Sequence, residues 1–232
     1  MKKFIVALVV LMALSAAGPA AALEVSGDAY VGVSSKYLWR GFDLSPDDAF
    51  VVQPGADVSV GGFTVSWWGN ISENTGEMNE VDLILDYSAD LGDLVSVSVG
   101  NILYDVDGLA DTNEVYLGVT LNTLLSPSLT AYYDYDEFDG NYYLVLGVGH
   151  DFAISDQLSA SVGATGSYLY DDVLDDSWLH VMEVSAGIDY AITDQISAGI
   201  SGLYFTKLDD KAEAYTGEKD GLTGALTVSV SF

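Results

Sequence analysis

The feature that most constrains this chain is a strict two-residue alternation of apolar and small polar side chains, recurring from about residue 25 to the last residue. Val95, Val97 and Val99 alternate with Ser96, Ser98 and Gly100. Val115, Leu117, Val119 and Leu121 alternate with Glu114, Tyr116, Gly118 and Thr120. Leu222, Leu226, Val228, Val230 and Phe232 alternate with Thr223, Ala225, Thr227, Ser229 and Ser231. Residues two apart share one face of a strand, so each segment has an apolar face and a polar one. About twelve such segments follow one another, near 25–39, 50–59, 63–71, 79–88, 94–104, 112–122, 128–136, 141–152, 158–170, 178–191, 196–206 and 221–232. Most are close to the length a tilted strand needs to cross a bilayer.

The connections differ in kind. Those around 60–62, 89–93, 155–157 and 193–195 are short, whereas 43–48, 73–77, 105–111, 171–176 and 207–220 are generally longer and rich in acids. Short turns on one rim and long loops on the other describe an outer-membrane barrel. An even strand count puts both chain ends on the short-turn rim. Ala153-Ile154-Ser155-Asp156-Gln157-Leu158-Ser159-Ala160 recurs one hairpin later as Ala191-Ile192-Thr193-Asp194-Gln195-Ile196-Ser197-Ala198. A hairpin-sized repeat fits a meander and is too short for a propeller blade or solenoid coil.

A soluble β-sandwich also alternates, but its apolar face is filled by aliphatics. Here the apolar phase carries aromatics near strand ends: Tyr37, Trp39, Tyr87, Tyr168, Tyr170, Trp178, Tyr190 and Tyr204. Two bands of this kind are interfacial girdles, and the Ser, Gly, Thr and acids of the other face suit a wet lumen. The expected fold is therefore all-β, a transmembrane up-and-down antiparallel β-barrel of about twelve strands over 23–232. Its last strand, ending in Phe232, carries the pattern that barrel-assembly machinery reads, and pairing it with the first strand removes an open sheet edge.

The N-terminus reads as a cleavable signal peptide over 1–22. Lys2 and Lys3 precede an apolar run from Phe4 to Leu14, and Ala20-Ala21-Ala22 supplies small residues for cleavage. The chain holds 7 basic and 35 acidic residues, so loss of the two leader lysines leaves 5 against 35, a net charge of −30. Such a surface repels nucleic acid. With no cysteine, thiol chemistry and disulfides are absent. Asp105-x-Asp107-Gly108 with Asp111 lacks the spacing and terminal glutamate of a calcium loop and reads as solvated, so no metal or cofactor is expected.

Alternation points Asp28, Asp57, Asp82, Asp86, Glu114, Asp134, Glu183 and Asp189 into the lumen, opposite Lys36 and Arg40, four apart on the first strand. These charges either set a transverse field that selects permeating solutes or fill a narrow lumen as an ion-pair network. By sign alone, an open pore favours cations. For a hydrolase the residues are poor. His150 and His180 are the histidines, neither has a serine two residues on, and His180 falls in the outward phase, with Asp175 and Asp176 as conceivable partners. The chain is read as no enzyme.

Ser35-Lys36-Tyr37-Leu38-Trp39-Arg40-Gly41, followed by Ser45, then Val52-Gln53-Pro54-Gly55, Gly62-Phe63 and Trp67-Trp68-Gly69-Asn70, resembles the N-terminal signature of the Gcw_chp or TorF-type porin family. The resemblance covers about 31–71 and implies an outer-membrane porin with no defined solute. It singles out Tyr37, Arg40, Gly41, Gln53, Trp68 and Asn70. Arg40 would lie inward at the outer mouth, where Gln53, Trp68 and Asn70 could meet it as a constriction or a structural clamp. The pore-lining set expected is thus Lys36, Arg40, Gln53, Trp68, Asn70, Asp82, Glu114, Asp134 and Glu183. The expected surroundings are outer-membrane lipid, small polar or cationic solutes, and the assembly machinery at the C-terminal strand. A closed barrel acting through acidic, cation-binding surface loops is the alternative, and an outer-membrane hydrolase a distant third.

Overall fold

The computed structural model describes residues 25–45, 49–217 and 219–232; the leader expected over 1–22 and the acids Asp47 and Asp48 lie outside them. Twelve strands close into one antiparallel barrel. They are β1 (Val25–Ser34), β4 (Val51–Val60), β5 (Phe63–Ser72), β6 (Met78–Asp90), β7 (Val95–Val106), β8 (Thr112–Leu121), β9 (Ser128–Asp134), β10 (Tyr142–Ala153), β11 (Leu158–Asp171), β12 (Asp176–Ala191), β13 (Ile196–Lys207) and β14 (Asp220–Ser231). Each pairs with its sequence neighbours, and β14 closes on β1 with Asp28 opposite Ser231 and Ser34 opposite Ala225. Gly27 and Phe232 exchange two backbone bonds of 2.9 Å at the seam. Two further strands, β2 (Leu38–Trp39) and β3 (Phe42–Asp43), pair only with each other. One helix, α1 (Asp210–Thr216), sits between β13 and β14, capped by the Asp209 side chain at its start and by Gly217 at φ 78° at its end.

The alternation works as the pattern requires. Leu117, Leu146, Ile200, Leu222 and Leu226 project from the outer wall with more than half of their surface open. Apolar side chains outside and polar ones inside reverse the arrangement of a water-soluble protein, and lipid is the solvent such a wall fits. No helix among the described residues is long and apolar enough to cross a membrane; the strands do so. Tyr87, Tyr190 and Tyr204 lie on the outer surface, and Tyr142 stacks on Tyr170 with ring centroids 4.8 Å apart.

Three aromatics depart from the expected girdle. β1 ends at Ser34 rather than running to Trp39. Ser35 N–H still donates to Gly224 O at 2.8 Å and Lys36 N–H to Thr223 Oγ1 at 3.2 Å, and there the chain leaves the wall. Tyr37 and Trp39 therefore fold inward with the small hairpin, and Lys36 and Arg40 do not form a ladder on a strand face. Trp178 and His180 also turn inward, contrary to the simple alternation, with Trp178 only 4% exposed and His180 fully buried. The cause is a β-bulge. Gly166 pairs with Met182 and Tyr168 with Leu179, so β12 carries one extra residue there and its phase flips.

The lumen is divided by side-chain size. Toward the short-turn rim its wall is Ser, Gly, Thr and scattered acids, with Ser185, Asp189 and Ser201 open to solvent although they face inward. Toward the long-loop rim it is packed, and the largest fully buried side chains there include Phe205, His180, Val51 and Asn70.

Candidate functional site

The packed half of the lumen is built around the hairpin β2–β3. Its turn is Arg40-Gly41, with φ of 46° and 79°, and Trp39 pairs with Phe42 across it. Two successive positive φ values define the two-residue turn whose twist suits a hairpin. Gly41 adopts this freely; Arg40, carrying a Cβ, is strained and must be held by its surroundings.

It is held firmly. The Arg40 guanidinium donates Nη1–H to Glu114 Oε1 at 2.7 Å and Nη2–H to Glu114 Oε2 at 2.6 Å. Tyr104 OH donates to the same carboxylate at 2.9 Å. The guanidinium lies 4.7, 4.8 and 4.5 Å from the ring centres of Trp39, Tyr132 and Tyr143. A two-pronged bond to a carboxylate with faces of aromatic rings around it is the strongest setting a protein offers a guanidinium. The turn's carbonyls are fixed too. His180 Nε2 lies 2.9 Å from Arg40 O while its Nδ1 accepts from Trp178 Nε1–H at 2.9 Å, which assigns the imidazole proton to Nε2. Lys207 Nζ donates to Gly41 O.

The hairpin's flanks close the structure. Lys36 Nζ donates to Asp43 Oδ2 at 2.7 Å, and Ser45 N–H to Asp43 Oδ1 at 3.0 Å. Burial pushes the Asp43 carboxyl up, but these donors outweigh it and hold it below its ordinary value. Tyr37 OH donates to Glu80 at 3.1 Å and its ring packs on Trp68 at 5.4 Å. From α1, Tyr215 packs against Phe42 and Trp178 at 5.6 and 5.1 Å and donates to Asp171 at 2.9 Å. Burial and that bond push its hydroxyl up to about 12. Beside the hairpin, toward the long-loop rim, a cavity of about 430 Å³ remains, lined among others by Phe42, Glu80, Tyr104, Glu114, Phe138 and Tyr215.

The residues singled out in the sequence fall into separate groups. Arg40 and Glu114 meet. Gln53 and Asn70 meet each other, Gln53 Nε2–H donating to Asn70 Oδ1 at 3.2 Å, and Asn70 Nδ2–H donates on to Asn79 at 2.8 Å. Ser34 Oγ–H donates to Gln53 at 3.3 Å, completing a polar belt across β1, β4, β5 and β6. No hydrogen bond or ring contact of Arg40 among the described residues goes to Gln53, Trp68 or Asn70. Asp134 is engaged in holding the 135–141 loop, accepting from Thr112 at 2.7 Å and from the N–H groups of Asp136 and Phe138. Glu183 accepts from Thr165 at 3.2 Å. Asp82 is buried, and its Oδ1 has no hydrogen-bond partner. Neither acid considered beside His180 reaches it. Asp175 accepts from Tyr170, and Asp176 pairs with Lys211 at 2.7 Å. Tyr104, Tyr132 and Tyr143 went unnoticed in the sequence, although each lies in the inward phase of its strand.

A closed twelve-strand barrel with a polar lumen and an inward-folded first loop defines the class of outer-membrane, porin-like barrels. The solved structures agree. The NanC porin superposes with a TM-score of 0.59 at 14% identity, over 88% of this chain and 98% of that one. The COG4313 outer membrane channel from Pseudomonas putida F1 gives 0.50 at 10% identity, over 93% and 100%. The model of the family described as bacterial protein of unknown function (Gcw_chp) matches residues 16–231, and the chain belongs to that family. A comparison with curated protein sequences returned no match. The protein resides in the outer membrane.

Proposed function

We propose that the barrel is a passive channel for small polar solutes with a preference for cations, and that the β2–β3 hairpin sets its constriction. The observation that carries this reading is an acidic track. β6 turns Glu80, Asp82, Asp86 and Asp90 toward the lumen on one wall. At about 3.4 Å per residue these positions span roughly 34 Å, from the outer mouth to the periplasmic rim. Asp86 accepts from Tyr116 and Ser88 at 2.6 Å each, bonds from neutral donors that leave its charge uncompensated. Of the bases at hairpin level, Lys36 is ion-paired with Asp43 and Arg40 with Glu114, while Lys207 donates to Gly41 O, a neutral acceptor that leaves one positive charge against the acids of the track. A permeating ion thus meets uncompensated negative charge. Export by a cleavable leader over 1–22 and recognition of the strand ending at Phe232 by assembly machinery belong to the same reading.

Single-channel recording in asymmetric KCl tests it. Cation selectivity is expected, reduced in Asp86→Asn; anion selectivity at low salt would overturn it. The packing of the hairpin and α1 in the mouth favours one other reading, a closed barrel that acts through its acidic surface loops. Liposome swelling separates the two, since solute entry requires a pore.

A further inference from the structure

Arg40 sits in a cage that does not depend on the hairpin carrying it. Tyr104, Glu114, Tyr132 and Tyr143 come from β7, β8, β9 and β10, four consecutive strands of the wall. Their placement is fixed by the sheet register, in which Glu114 lies opposite Ile102 and Asp134, and Tyr132 opposite Tyr116 and Tyr143. Only Trp39 among the cage groups belongs to the hairpin. Glu114 presents both carboxylate oxygens to the lumen in the geometry a planar fork of N–H donors matches. Tyr104, Tyr143 and Glu114 also line the 430 Å³ cavity at the outer mouth, so a solute entering from outside reaches the same carboxylate beside Arg40.

The wall recognises a particular shape of cation. Two parallel bonds of 2.6 and 2.7 Å need a planar group with two N–H donors on one edge, and the ring faces at 4.5–4.8 Å need a flat, weakly hydrated cation. A quaternary ammonium has no donors. A metal ion takes six or more oxygens, and among the described residues no group of three or more His, Cys, Asp or Glu is placed to hold one. Arg40 itself is retained with a backbone φ of 46°, a conformation unfavourable for a residue with a Cβ.

We propose that Tyr104, Glu114, Tyr132 and Tyr143 form a binding site for guanidinium-bearing solutes, with Arg40 as its built-in occupant, and that an incoming guanidinium displaces Arg40 and unlatches the hairpin. The use of this site in transport rests on the channel reading; the site itself does not. A tethered occupant competes at an effective concentration in the millimolar range, so a free solute binds the wild-type protein weakly and a protein lacking Arg40 more tightly.

The test titrates detergent-solubilised Arg40→Ala with methylguanidinium, following heat by calorimetry. Binding at least tenfold tighter than in the wild type is expected, with no saturable binding of tetramethylammonium and none of methylguanidinium in the Arg40→Ala/Glu114→Gln double variant. Folded Arg40→Ala that does not bind methylguanidinium, or a double variant that binds it equally, overturns the site. If Arg40→Ala does not fold alone, refolding in methylguanidinium is expected to restore the heat-modifiable barrel, and equal yields in tetramethylammonium overturn the proposal. Binding without ion current in bilayers would remove the channel reading and leave the site standing; current without binding would do the reverse.

Discussion

Arg40 and Glu114 are buried partners in the lumen, and their worth is asymmetric. Removing one partner from such a pair leaves a desolvated charge and typically costs about 3–5 kcal/mol, whereas removing both costs much less. Glu114→Gln is therefore expected to lower the temperature at which the barrel loses its compact, fast-migrating form on unheated gels. Arg40→Ala/Glu114→Gln recovers part of that loss, with a coupling of about 1–3 kcal/mol in the double-mutant cycle. Equal and additive losses would mean the pair does not act as a unit. The Lys36–Asp43 pair gives a pH dependence of defined sign. The Asp43 carboxyl is held below its ordinary 3.8 in the folded chain, so the stability it contributes is present above 3.8 and lost as pH falls further. Protection of the hairpin amides from hydrogen exchange is expected to be constant from neutrality to pH 5 and to drop below 3.8. Asp43→Asn should flatten that fall.

In the proposed channel the hairpin β2–β3 is the element that sets how narrow the lumen is. It is pinned at its turn by Glu114, His180 and Lys207 and at its base by Asp43, while the wall around it is independently closed. Replacing residues 36–44 by a short Gly-Ser link is expected to leave the barrel folded and raise its single-channel conductance severalfold. Unchanged conductance would show that the restriction lies elsewhere. This element was also where the sequence misled. Ser35 to Arg40 continues the alternation of β1, so Tyr37 and Trp39 look lipid-facing and Lys36 and Arg40 look like neighbours on one face. What holds the chain away from the wall after Lys36 is a set of distant bonds, Arg40 to Glu114, His180 to Arg40 O and Lys207 to Gly41 O, and no local pattern encodes them. The Arg-Gly pair was the available clue, since Gly permits the positive φ of a two-residue turn. For His180 the signal was absent, because a one-residue bulge in β12 reverses the phase without any Gly or Pro at that point of β12 to mark it.

At the scale of the whole molecule the sequence was far more legible. Eleven of the twelve wall strands begin and end close to where alternation and turn residues put them, because lipid outside and water inside impose opposite demands on successive residues over the full strand length. The same cause constrains register, since a one-residue slip would turn every apolar side chain into the lumen. The charges were legible as an inward set, whereas their pairing was not, since partners such as Arg40 and Glu114 stand 74 positions apart. The division of the lumen by side-chain size has an electrical consequence. In the proposed channel, a passage more open toward the periplasmic end and tight near the outer mouth, with acids along its length, is an asymmetric cone with a negatively charged wall. Cations accumulate in such a cone when driven one way and are depleted when driven the other. The current at equal and opposite voltages in symmetric KCl is therefore expected to be unequal, as in a diode, and to become ohmic once the hairpin is removed.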